Sequence, residues 1–202
     1  MRLFIGRQRE LDLLQHIYDV EDVRTCMVYG RRRIGKSSLL RRFSEGRRTM
    51  FVQFLRASEA ANAEVICRCA SSLLGREIMS SDLHTAFDAV REVCIESKTL
   101  VVFDEVPYLL EGNEKVASEM QYLVDWIRSD TDSMMVICGS SVSFMLEGVL
   151  KKRNSLYGRF AFVIELMPLT ISEVRGFHPS ASVQDLMRLY LTLGGAAAYR
   201  NE

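Results

Sequence analysis

Thr25-Cys26-Met27-Val28-Tyr29-Gly30-Arg31-Arg32-Arg33-Ile34-Gly35-Lys36-Ser37 runs from a short apolar stretch into a loop that satisfies G-x-x-x-x-G-K-[ST] at every position. Thr25–Tyr29 is too short and too apolar for a surface helix and reads as a buried strand. Helical character resumes over Ser37–Phe43, with basic residues along one side. A strand, a glycine loop and a helix in that order form a cradle for phosphate. The glycines let backbone N–H groups turn inward, and the positive end of the new helix points at the same place.

The loop assigns its own roles. Lys36 reaches the terminal phosphates of a nucleotide, and the Ser37 hydroxyl ligates Mg²⁺. The candidate nucleotide-binding residues are therefore Gly30, Arg33, Ile34, Gly35, Lys36, Ser37 and Ser38. ATP and Mg²⁺ are the expected ligands. Three roles stay open for Arg31, Arg32 and Arg33: neutralising phosphate, meeting a neighbouring subunit, or forming a solvated charge run.

A second motif lies about 70 residues downstream, a separation read from the sequence and ordinary for phosphate-loop enzymes. Thr99–Phe103 is apolar or β-branched and runs directly into Asp104 and Glu105. Beside a phosphate loop, Asp104 belongs to the Mg²⁺ site and Glu105 polarises an attacking water as general base. A glutamate next to the aspartate favours hydrolysis over transfer to a small acceptor.

The remaining chain fits a layered α/β arrangement. Arg9–Tyr18 places Leu11, Leu14, Ile17 and Tyr18 at helical spacing. Thr49–Leu55, Met134–Cys138 and Phe160–Leu166 read as further strands. Ala63–Leu74, Leu83–Ser97, Glu114–Ser129, Ser143–Lys152, Ser172–Glu173 and Val183–Leu193 read as helices. Continuous apolar strands separated by helices imply a parallel sheet covered on both faces.

Composition bounds the function classes. Lys+Arg and Asp+Glu each number 26 in 202 residues, so no global field draws the chain to nucleic acid or an anionic membrane. Local basic clusters remain at Arg31–Arg33, Arg41-Arg42, Arg47-Arg48 and Lys151–Arg153, and nucleic acid would contact them through its phosphates alone. Five cysteines without a C-x-x-C pair suit core packing in a reducing cytoplasm. The N-terminus turns charged too soon for a secretory signal, and no apolar run approaches the ~20 residues of a membrane span.

Taken in order, Gly30–Ser37, Asp104-Glu105, Gly139-Ser140-Ser141 and Gly158-Arg159 resemble the AAA+ ATPases. The opening Phe4-Ile5-Gly6-Arg7-Gln8-Arg9-Glu10-Leu11, the extension Val106-Pro107-Tyr108-Leu109 and Gly194-Gly195 are similar to the STAND-like archaeal and bacterial ATPases related to origin-recognition initiators. The resemblance implies a P-loop NTPase fold with a five-stranded parallel sheet flanked by helices. Residues 1–166 would form the ATPase core and 167–202 the start of a small helical lid.

It further implies that the acidic strand is not next in sequence to the P-loop strand, and that Ile5, Gly6 and Arg7 lie against adenine and ribose. The same opening residues also fit a hydrophobic staple on the first helix. Ser140 takes the position of a sensor for the γ-phosphate or attacking water, or caps a helix. Arg159 takes the place of an arginine finger acting on a neighbour's nucleotide, or is a surface arginine.

Two departures bear on nucleotide sensing: serine stands where the family often has asparagine, and Ala196 stands where proline usually follows the glycines. The chain stops just inside the expected lid and reads as truncated or abbreviated. Winged-helix and further C-terminal domains, through which DNA would be held, are expected beyond it. ATP or ADP and a homo-oligomer are the other expected partners. The functions implied are ATP hydrolysis driving a larger ATPase, a nucleotide-gated assembly switch with little hydrolysis, or a DNA-associated regulatory module.

Overall fold

The computed structural model describes residues 4–19, 24–149, 151 and 154–196. Five strands alternate with helices: α1 Gln8–Asp19, β1 Thr25–Tyr29, α2 Lys36–Ser44, β2 Thr49–Gln53, α3 Glu59–Leu74, α4 Leu83–Glu96, β3 Leu100–Asp104, α5 Pro107–Leu110, α6 Glu114–Asp130, β4 Met134–Gly139, β5 Phe162–Glu165, α7 Ile171–Arg175 and α8 Val183–Leu193. Between β4 and β5 lies a π-helical turn, Phe144–Val149.

The sheet order is β2-β3-β4-β1-β5 and every pairing is parallel. The expected five-stranded parallel sheet is what forms, and β2 separates the acidic strand from β1 in sequence. In space β4 separates them, so two strand spacings, roughly 10 Å, lie between β1 and β3.

Strand alternation sends side chains into two cores. Met27, Val101, Phe103, Met135 and Ile137 face α3, α4 and α6. Cys26, Val28, Leu100, Val102, Val136 and Cys138 face α1 and α2. Burial on both faces is why β1, β3 and β4 carry uninterrupted apolar sequence rather than polar alternation. Phe103 anchors the larger core, edge-on to Phe54 at 5.1 Å and stacked near Phe87 at 6.3 Å between ring centroids. Such pairs add to burial that already contributes about 1.5–3 kcal/mol per large side chain. A small third core of Leu169, Val174 and Leu186 joins α7 to α8.

Several elements differ from the sequence reading for identifiable reasons. Helix α3 begins four residues early because the Ser58 hydroxyl accepts from the Ala61 amide at 3.2 Å. Its first turn also holds Asn62, which bonds both the N–H and C=O of Leu55 and so fastens the helix to the end of β2. Helix α5 has too few residues for periodicity to reveal. The expected helix Ser143–Lys152 is wound as a π turn over Phe144–Val149, and Leu150, Lys152 and Arg153 fall outside the described residues.

Phe87 lies on α4, away from the phosphate loop, and is 2% exposed. Phe87→Ala should lower unfolding stability by about 3–5 kcal/mol through transfer and cavity terms. Urea titration checks this: the midpoint should fall with little change in slope.

Candidate functional site

Glycine geometry shapes the loop after β1. Gly30 has φ 153°, and a Cβ there would lie 2.5 Å from the Leu166 carbonyl oxygen. Gly35, at φ 97°, turns the chain into α2. Lys36 is buried, and its ammonium donates to the carbonyls of Gly30 at 2.8 Å and Arg31 at 3.0 Å. The loop thus wraps its own lysine, which fixes a positive charge at the loop's centre.

Ser37, in the first turn of α2, donates to Asp104 Oδ2 at 2.6 Å. Asp104 is fully buried at the end of β3, and its Oδ1 accepts from the Glu105 amide at 3.1 Å. A hydroxyl and a carboxylate brought together beside a phosphate loop form the hard-oxygen donor set that suits Mg²⁺. Burial, followed by the Asp104 charge, pushes the Cys138 thiol well above its ordinary range, so it stands protonated beside that acid.

Glu105 adopts φ 57°, a left-handed conformation that residues with a Cβ rarely take. Its Oε2 accepts from the Ser140 amide at 3.1 Å and the Ser140 hydroxyl at 2.8 Å. Ser140 therefore meets Glu105 directly at the end of β4, which lies between β3 and β1. Among the described residues, only Arg7, Arg33 and Glu105 are non-glycines with positive φ, and all three belong to this neighbourhood. Strain of this kind gathers at sites where function over-determines the backbone.

The N-terminal residues join the site through a role that spacing did not reveal. Arg7 is buried, and its Nη2 donates to the Ile34 carbonyl of the loop at 3.2 Å and to the Met167 carbonyl beyond β5 at 2.7 Å. Its amide donates to Glu173 Oε1 on α7 at 3.3 Å. Gly6 closes on the same carboxylate, 2.3 Å from where its Cβ would be, and Ile5 packs against Gly176. Glu173 was not a candidate from sequence. The nearest signal was Thr170 three residues ahead of it, a capping box that the structure contains.

Arg159 stands apart. The Thr25 hydroxyl donates to its carbonyl at 2.5 Å, which puts it at the start of β1, a strand length of about 13 Å from the loop. Its guanidinium pairs with Asp125 on α6 at 3.0 Å. The other basic clusters are largely occupied: Arg41 covers Phe51, Arg47 covers Tyr18 and Phe43, and Arg42 and Arg48 pair with Glu45 and Glu96. Ser38 is exposed on α2. No described helix is long and apolar enough to cross a membrane, and all five cysteines are free.

Residues 4–199 match the family described as an ATPase domain found predominantly in Archaea. An uncharacterised protein of Methanocaldococcus jannaschii is 30% identical over 198 residues, covering 98% of this chain and 43% of the relative. The Walker-type ATPase of Pyrococcus abyssi superposes with a TM-score of 0.70 at 19% identity, over 98% of this chain and 65% of that one. The ORC1 protein of Aeropyrum pernix, solved in complex with DNA, gives 0.64 at 15% identity, over 99% and 58%. The chain therefore spans less than two-thirds of the length of each.

Burial alone would raise the Glu173 carboxyl, but bonds from the Thr170 amide and hydroxyl and the Arg7 amide, with the Arg7 charge, hold it below its ordinary value. A depressed native pKa contributes stability above the unfolded value that is lost as pH falls through the native one. Glu173→Gln should flatten the acid side of the stability–pH curve, measured as melting midpoint against pH. Arg7→Met should cost roughly 2–4 kcal/mol by leaving the Ile34 and Met167 carbonyls unpaired, read by urea unfolding.

Proposed function

The chain belongs to the family of ATPase domains found predominantly in Archaea, and we propose that it binds Mg-ATP and hydrolyses it as the motor or switch domain of a larger ATPase. The observation that carries this reading is the Ser37–Asp104 bond, which unites the phosphate loop and the acidic strand at one point.

In this reading Gly30, Arg33, Ile34, Gly35, Lys36, Ser37 and Ser38 hold the phosphates. Ser37 and Asp104 hold Mg²⁺, which when bound supplies neutralising charge to the β- and γ-phosphate oxygens. Glu105 accepts a proton from water as the water oxygen bonds to the γ-phosphorus. The bond from phosphorus to the bridging oxygen breaks, and its electron pair leaves on ADP. Ser140 senses the γ-phosphate through its grip on Glu105, so releasing that grip frees the base. Ile5, Gly6 and Arg7 carry the adenosine side of the site, beside the loop to which Arg7 is bonded. Residues 1–166 form the core and 167–202 begin the helical lid, with the STAND-like group as the finer placement. Arg159 serves a neighbouring subunit's nucleotide once its Asp125 pair opens.

A second reading is a nucleotide-gated switch with little turnover, favoured by the same Glu105–Ser140 pair, which keeps the base engaged. DNA association is a property of the ORC1 neighbour and is proposed here only through a further domain.

At ATP a hundredfold above its dissociation constant, Mg-ATP should stabilise the parent by about 2.7 kcal/mol. Lys36→Ala should abolish that increment in a thermal-shift titration. Glu105→Gln should keep the increment while phosphate release falls roughly 10²–10⁴-fold. Parental turnover in Glu105→Gln would remove Glu105 as the base.

A further inference from the structure

The Arg32 guanidinium donates from Nη2 to the Tyr108 hydroxyl. Arg32 stands in the loop after β1, and Tyr108 stands on α5, just past Glu105 at the end of β3. The contact therefore spans the ends of the two strands that flank β4, where Ser140 holds Glu105. We propose that Arg32 is a further catalytic residue, a cation supplied in cis to the terminal phosphoryl oxygens of ATP and held ready by Tyr108. This rests on the reading of the cleft as an ATPase site.

Three observations carry it. The first is charge. Among the described residues no carboxylate pairs with Arg32, whereas Arg159 is tied to Asp125 and Arg42 to Glu45. Its partner is a hydroxyl rather than a carboxylate, so its charge stays available on the exposed loop. Lys36 by contrast is already engaged with two carbonyls of the loop.

The second is chemistry. The tyrosine oxygen accepts from Arg32 through a lone pair, which leaves its own proton for a phosphate oxygen. In the transition state negative charge spreads over the three equatorial oxygens, and a planar guanidinium meets two of them at once.

The third is rigidity. Tyr108 sits on an element fastened to the ends of β3 and β4. The Val106 amide donates to the Cys138 carbonyl at 2.9 Å, and the Tyr108 amide to the Glu105 carbonyl at 3.0 Å. Pro107 closes on Gly139, where an added Cβ would lie 2.8 Å from the proline Cδ. A cation preset in this way needs no reorganisation during reaction.

The test uses the full 202-residue chain in the variants Arg32→Ala, Arg32→Lys and Tyr108→Phe. Arg32→Ala should retain the melting increment in Mg-ADP and Mg-ATP while kcat falls by about 10³-fold or more, as for other arginines on transferring phosphoryl groups. Arg32→Lys should recover part of the rate, and Tyr108→Phe should lose roughly tenfold, the worth of one hydrogen bond. Mixing Arg32→Ala with Lys36→Ala should restore no activity, because each chain needs its own arginine. Recovery on mixing, or parental kcat in Arg32→Ala, overturns the assignment and leaves the ATPase reading standing. Equal loss of ADP and ATP binding in Arg32→Ala also overturns it, as does a parent that binds Mg-ATP without turnover. A parent whose melting midpoint ignores Mg-ATP sinks the ATPase reading and this assignment with it.

Discussion

A serine hydroxyl and an aspartate oxygen 2.6 Å apart connect the first turn of α2 to the end of β3, across the strand that lies between β1 and β3. The arrangement depends on that crossing. Asp104 is fully buried at the sheet's end, where its two oxygens need donors. Ser37 satisfies one and the Glu105 amide the other. The second bond fixes the backbone that aims Glu105 at Ser140. One buried carboxylate thereby sets the position of the loop helix, the acidic turn and the end of β4 together.

The same neighbourhood concentrates backbone strain. Left-handed conformations at Arg33 and Glu105 are costly for residues with a Cβ, about 1–2 kcal/mol each. At Glu105 the conformation is held by the bonds of its amide to Asp104 and of its carboxylate to Ser140. A glycine there would relieve the cost but lose the carboxylate that accepts from Ser140.

Much of this was legible in the sequence because its signals are local. Gly30, Gly35, Lys36 and Ser37 announce a phosphate loop through their spacing, and the apolar runs of β1, β3 and β4 announce strands buried on both faces. The start of α3 escaped because Asn62, a polar residue, is buried by bonds to the backbone of Leu55 rather than by apolar pattern. Helix α5 escaped because its position comes from Pro107 fitting over Gly139, a contact between distant strand ends. Arg7 was marked as a nucleotide contact on resemblance, but its bonds to Ile34, Met167 and Glu173 span up to 166 positions and leave no periodic trace.

That arginine has a mechanical consequence. Three separate parts of the chain converge on one buried guanidinium and its own amide: the loop at Ile34, the segment after β5 at Met167, and α7 at Glu173. Bonds to a stiff, planar head group act as a linchpin, because none of the three parts can rotate without loading the others. Helix α7 is joined to the backbone of the phosphate loop through the amide and the side chain of this one residue. Arg7 thus ties the helix beyond the sheet to the phosphate loop through one residue, so the position of either is set against the other.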